Sequence, residues 1–265
     1  MAGSRHAWWI GFGVYLIYNA IIYATWFAVD ADYANLVPRD LIFKSVVLPL
    51  SLGAVFMFAA ITWLGWWRPV MREKQRGGPG WTVWVLVLVM AGFIAVLVAH
   101  ANWSAISTVH LTFLIAAGML VGFNEESLTR GVLVVGWRGS TQSEVRVWFW
   151  TSALFGLMHL PNALFGLPLF AALAQTVFAF LAGSGFYLLR RVSGTIMIPM
   201  IMHGAWDFST FSLQASGAEL PAMGYAFQFG TYLVSIVLVI VVLRHDRRAG
   251  TAATRAEPRH SRIHT

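Results

Sequence analysis

Apolar runs long enough to cross a bilayer recur along this chain, and they constrain its fold more than any other feature. Read by run length, there are eight, at about residues 7–29, 41–66, 81–101, 107–135, 144–160, 169–189, 194–213 and 223–243. A helix needs about 20 apolar residues to cross the hydrocarbon core. Strands fit poorly, because the runs are too long and an open sheet leaves backbone groups unsatisfied in lipid. The chain therefore reads as all-α, a polytopic membrane helical bundle of about eight transmembrane helices. The first run exceeds the ~7–15 residues of a signal h-region and no A-x-A site follows it, so it is read as a membrane helix.

Composition agrees. Of 265 residues, 58% are apolar and only 11% charged, against roughly a quarter charged in a soluble domain. A water-soluble globule, a disordered chain and a coiled coil are excluded. Cysteine is absent, which removes disulfides, a thiol nucleophile and thiolate metal sites.

The net charge of +7 would suit a nucleic-acid partner, but the placement of the charges gives it another cause. On the eight-run map, Arg5, the group Arg68, Arg72, Lys74 and Arg76, the group Arg130, Arg138 and Arg146, the pair Arg190 and Arg191, and six arginines from Arg244 to Arg262 share one side. That is 16 of the 18 basic residues, leaving Arg39 and Lys44 opposite with Asp30, Asp32, Asp40 and Glu219. This positive-inside pattern puts both termini in the cytoplasm and implies lipid, not nucleic acid, as the partner. The stretch 244–265 reads as a basic, disordered cytoplasmic tail. Arg- and Trp-rich usage suggests a bacterial plasma membrane.

Three stretches interrupt the apolar pattern: Asn124-Glu125-Glu126-Ser127-Leu128-Thr129-Arg130, Phe155-Gly156-Leu157-Met158-His159 and His203-Gly204-Ala205-Trp206-Asp207. An ionisable group at bilayer depth costs about 2.5–3.5 kcal/mol on insertion scales, so these groups must face the bundle interior and satisfy one another. Glu126 and Arg130 are four apart, carboxylate first, the better order for an ion pair. Glu125 points about 100° away from Glu126 and is free to face a cavity. Phe155 lies one turn before His159, and Asp207 lies one turn after His203, where a carboxylate can fix a ring tautomer. Pro199 is expected to loosen its helix before His203, and Pro161 to end or bend the helix just past His159.

Glu125-Glu126-x-x-x-Arg130, then Phe155-x-x-x-His159, then His203-x-x-x-Asp207, in that order on separate apolar segments, resembles the CPBP (Abi) family. That family covers the type II CAAX prenyl endopeptidases together with bacteriocin-processing and self-immunity proteins. The stretch from Phe180 to Arg190 is also similar to the family's segment before its third motif. The resemblance runs from about Ser107 to Leu213. It implies an intramembrane endopeptidase acting on a peptide or protein near the membrane, in CAAX-type C-terminal processing or in bacteriocin maturation or immunity. It implies Glu125 as the base that activates water, with His159 and His203 orienting the water and stabilising the oxyanion. Glu126 and Arg130 would hold their helix, with Phe155 and Asn162 as supporting residues. Asp207 stands where eukaryotic members carry asparagine; an ionised carboxylate cannot donate to an oxyanion, and the role preferred for it is orienting His203. Glu125, His159 and His203 are also a donor set for zinc; the preferred reading requires no cofactor. The corresponding division is 1–106 N-terminal helices, 107–213 catalytic core, 214–243 last helix and 244–265 tail.

The residues also admit duller readings. His100, His110 and Asn162 read as ordinary hydrogen-bonding groups, although Asn162 is close enough to His159 to line the same cavity. Trp66, Trp67, Trp81 and Trp103 fit an interfacial belt. No H-E-x-x-H is present. Ala182-Gly183-Ser184-Gly185 is similar to a rhomboid serine motif but reads better as small residues for close helix packing. Two rivals remain: a catalytically silent immunity or scaffold protein, and a proton-coupled transporter, which would usually show an internal repeat not found here.

Overall fold

The computed structural model describes residues 6–73 and 77–256. Each apolar run becomes helix, and the breaks fall where the chemistry of the chain dictates. The first helix, α1 (Trp8–Ala28), ends where Asp30 turns the chain with φ +51. A π-helical turn (Phe43–Val47) leads into α2 (Leu48–Leu64), which carries a proline in its first turn and stops at the left-handed Gly65. These are the positions where proline and glycine are tolerated best. The short α3 (Trp67–Met71) is followed along the chain by α4 (Trp81–His100). Ser107 caps α5 (Thr108–Glu126) by accepting the His110 N–H. Without stopping, α5 runs through a π-helical stretch (Ser127–Leu133) into α6 (Val134–Arg138). Ser143 caps α7 (Glu144–Leu157), and a 3-10 turn (Leu160–Phe165) holding Pro161 follows. The chain closes with α8 (Leu169–Ser193), α9 (Met197–Ala215) and α10 (Ala222–Ala256).

No strand occurs among the described residues beyond one isolated bridge, Arg72 to Thr195. Among the described residues, six helical segments are long and apolar enough to cross a membrane: Trp8–Ala28, Phe43–Leu64, Trp81–His100, Thr108–Arg138, Leu169–Ser193 and Ala222–Arg248. The protein is an integral membrane protein by these segments. The sequence marks eight runs, and the two outside the six are α7, with 14 residues, and α9, which carries His203 and Asp207. Helix α10 continues past the last apolar run as far as Ala256, into the stretch read as a disordered tail, and 257–265 lie outside the described residues. Arg5, Lys74 and Arg76 of the charge map lie outside them as well.

Two local expectations change. Pro199 is the third residue of α9, where its missing N–H falls in the first turn, so no break precedes His203. Trp66 is 1% exposed and belongs to the core rather than the belt, with His6 packed edge-on to it.

Helices α5 and α9 pack against each other at the centre. A Cβ on Gly118 would come 2.6 Å from the Gly204 carbonyl oxygen, and one on Gly204 would come 2.6 Å from that of Gly118. Gly122, one turn on, lies against the Met200 carbonyl. Side chains at these positions would force the helices apart, which is the role small residues play between membrane helices. This Gly118-x-x-x-Gly122 pair fixes where Glu125 and Glu126, at the end of α5, meet α9.

The ends of several elements are tied by one polar network. Arg138 grips Glu144 through Nε at 2.8 Å and Nη2 at 3.0 Å, and also pairs with Glu73. Tyr187 donates its hydroxyl to Glu144, Arg190 Nη2 donates to the Pro69 carbonyl at 2.8 Å, and Arg191 Nη2 meets Asp246 at 2.9 Å. Three arginines counted in the charge bias are therefore also structural.

Candidate active site

The second carboxylate of the Glu pair is the centre of the arrangement. Glu126 is fully buried, and its Oε1 accepts from Arg130 Nη1 at 3.0 Å and pairs with His203 Nδ1 at 2.8 Å. The expected Glu126–Arg130 pair is thus formed, across the entry to the π-helical stretch. Arg130 Nη1 also donates to Thr129 Oγ1 at 2.6 Å. The guanidinium carbon stands 4.1 Å from the Phe155 ring centre and 5.1 Å from that of Phe186. Such stacking over aromatic faces is characteristic of arginine and is not reproduced by lysine. Gly183 makes the room: a Cβ there would come 2.8 Å from Arg130 Nη2 and 2.9 Å from the Phe155 ring.

His203 is held on two more sides. Phe186 stacks on it with centroids 4.5 Å apart, and Phe155 meets it edge-on at 5.6 Å. Its Nε2 points to two carboxylates, with Glu125 Oε2 and Asp207 Oδ2 each 3.8 Å away. Those are separations for a bridging water, not a direct bond. The partner on Nδ1 is Glu126 of α5, while Asp207, expected to orient this ring, stands 3.8 Å from Nε2.

His159 sits between the end of α7 and the 3-10 turn. Its Nδ1 lies 2.8 Å from the Phe155 carbonyl oxygen, which acts as the acceptor for an N–H there and leaves Nε2 as the free nitrogen. Phe155 packs edge-on to this ring too, at 5.2 Å.

A single cavity of about 500 Å³ brings these groups together. Glu125, His159, His203 and Asp207 line it, as do Phe155 and Asn162, whereas Glu126 and Arg130 lie behind its wall. The candidate metal ligands Glu125, His159 and His203 do not close into a metal-holding cluster, and no such group of three occurs among the described residues.

The duller readings hold elsewhere. His110 Nε2 lies 2.8 Å from the Val37 carbonyl, and His100 Nδ1 lies 2.8 Å from that of Val96; neither ring lines the cavity. Ser184 is buried, donates to the Phe180 carbonyl at 3.0 Å and accepts from Trp148 Nε1 at 2.9 Å. It is a packing residue. Sequence reasoning missed Gln175 and Tyr33, two further polar residues of the cavity wall. An apolar surrounding run hides a single glutamine, and Tyr33 opens a short 3-10 turn (Tyr33–Asn35) with no pattern to mark it.

Comparison with known families agrees with the motifs. Residues 107–209 match the family model described as Rce1-like, type II CAAX prenyl endopeptidase Rce1-like. This is the family the three motifs resemble, and the match covers the segment that carries all three. No curated protein and no solved structure matches the chain.

Proposed function

We propose that this protein hydrolyses a peptide bond inside the membrane-embedded cavity, with Glu125 as general base. The observation that carries the reading is the convergence of Glu125, His159 and His203 on one cavity, with His203 Nε2 3.8 Å from the Glu125 carboxylate. A water at that spacing reaches both groups. Glu125 takes one of its protons as the oxygen attacks the carbonyl carbon. The free Nε2 of His159 accepts a hydrogen bond from the same water and aligns it. His203, in its imidazolium form, gives Nε2–H to the developing oxyanion in a site where bulk water does not compete. As the C–N bond breaks, the proton held by Glu125 passes to the departing amine.

Asp207 shares the second face of His203 Nε2 with Glu125. Glu126 and Arg130 fix the position of His203 from behind the wall, and Asn162 belongs to the cavity lining. The catalytic core in this reading is 107–213, in a bundle of eight membrane helices with both termini cytoplasmic, as the bias of 16 basic residues to one side supports. The substrate class is a prenylated CAAX-type C-terminus or another membrane-proximal peptide.

The test is Glu125→Gln, which keeps shape and removes the base. Purified protein in lipid nanodiscs should cleave a farnesylated reporter peptide, and the variant should lose that activity at least a thousandfold with its thermal midpoint unchanged. Undiminished cleavage would reject Glu125 as the base. No cleavage by the unaltered protein, with a biological phenotype kept by the variant, would favour a silent scaffold. Proton-coupled flux lost in the variant would favour a transporter.

A further inference from the structure

The cavity has a second polar feature, apart from the groups that act on water. Asn162 is 3% exposed and lies in the 3-10 turn after α7, its backbone N–H bonded to the His159 carbonyl at 3.1 Å. Its Nδ2 donates to Gln175 Oε1 at 3.0 Å, and Gln175 Nε2 donates to the Tyr33 hydroxyl at 2.6 Å. All three residues line the cavity, among apolar neighbours that include Trp26 and Phe178. The relay spans α8 and the 3-10 turn Tyr33–Asn35 after α1, and it fixes the amide plane of Asn162 from one side. The other side is unspent: Oδ1 accepts no hydrogen bond among the described residues. Asn162 lines the cavity, so this oxygen is open to it, and a donor brought by a ligand that displaces water there finds an acceptor already held in place.

A peptide drawn into this cavity carries the complementary problem, because each of its N–H groups leaves water behind and needs an acceptor. We propose that Asn162 Oδ1 accepts a backbone N–H of the substrate at a peptide bond flanking the scissile one, with Gln175 and Tyr33 as positioning residues that hold the amide. Reading the backbone in this way selects for an extended peptide irrespective of its side chains. The inference rests on peptide hydrolysis at this cavity and adds a recognition element to it.

The experiment uses a farnesylated peptide ending in Cys-Val-Ile-Ala and two analogues in which one flanking peptide bond is replaced by an ester. The ester removes the N–H and keeps the size. Equilibrium binding is measured to the full chain carrying Glu125→Gln, which does not turn the peptides over, and to the same chain with Asn162→Leu added. One ester should bind the first receptor about three- to tenfold more weakly than the parent peptide, the effect of one net hydrogen bond. The second receptor should bind the parent more weakly and distinguish that ester by less than about twofold. Equal discrimination by both receptors overturns the proposal, as does a first receptor that distinguishes neither ester. If Asn162→Leu does not fold, Gln175→Met carries the same comparison, with reduced ester discrimination expected and undiminished discrimination overturning the inference. Cleavage of the parent peptide by the unaltered protein is scored separately, so failure of the protease reading and failure of the Asn162 assignment are distinguishable.

Discussion

Glu126 Oε1 joins His203 Nδ1 at 2.8 Å and Arg130 Nη1 at 3.0 Å. One carboxylate oxygen therefore binds a helix to itself, four residues on, and to the helix that carries the third motif. Because Glu126 does not line the cavity, it acts on the chemistry only through the ring it holds. Glu126→Gln weakens that hold and leaves the Arg130 charge buried without its counter-charge, a change that costs about 3–5 kcal/mol when a buried pair is broken. The expected outcome is a fall in both reporter cleavage and thermal midpoint, whereas Glu125→Gln lowers cleavage alone.

Asp207→Asn should be the milder change. Its carboxylate stands 3.8 Å from His203 Nε2 and makes no direct hydrogen bond to the ring. Steady-state cleavage should stay within about tenfold of the unaltered protein and well above that of Glu126→Gln, since the orienting bond is intact. A larger loss in Asp207→Asn than in Glu126→Gln would return the orienting role to Asp207.

The α5–α9 glycine contact predicts a loss of activity from a residue that touches no substrate. Gly122→Ala sets a methyl against the Met200 carbonyl, and overpacking of this kind costs about 1–3 kcal/mol. Separation of α5 from α9 lengthens Glu126 to His203 and should lower cleavage at least tenfold. Gly13→Ala is the control: nothing lies within 4 Å of a Cβ there, and both cleavage and thermal midpoint should be unchanged.

Much of this site is legible in the chain. Glu126 and Arg130 at i, i+4 announce their own ion pair, and the cost of charge at bilayer depth identifies Glu125, His159, His203 and Asp207 as interior groups. The bond from Glu126 to His203 is not legible, because it depends on the depth to which α5 and α9 interlock. The Gly118-x-x-x-Gly122 spacing is the one signal for that depth in the sequence. The helix count is legible for six of the eight runs; the shortening of α7 to 14 residues by the 3-10 turn that follows His159 is a break that run length does not reveal. Pro199 likewise reads as a break only until the start of α9 at Met197 is known.

Arg130→Lys tests whether the guanidinium matters for shape or for charge. Lysine keeps the charge but loses the planar contacts with Phe155 and Phe186, at 4.1 and 5.1 Å, and with them the walls that set His203. Since Arg130 lies outside the cavity lining, kcat should fall about tenfold with KM little changed. A rise in KM alone would instead place the guanidinium in contact with substrate.

The network around Glu144 predicts a pH dependence of stability. Burial alone would raise this carboxyl, but the two hydrogen bonds from Arg138, the charges of Arg138 and Arg191, and the Tyr187 hydroxyl outweigh it and hold the group below its usual 4.5. A carboxyl depressed in the folded state stabilises the fold fully above its unfolded value and loses that contribution as pH falls through the folded value. The thermal midpoint of the unaltered protein should therefore drop as pH falls through about 4.5, where an unperturbed carboxyl is half protonated, and on toward the lower folded value. Glu144→Gln lacks the titrating group. It should start from a lower midpoint at about pH 7 and show a shallower acid limb. Measured in the same nanodiscs across that range, parallel acid limbs for the two proteins would remove Glu144 as the group that couples the α6–α7 junction to pH.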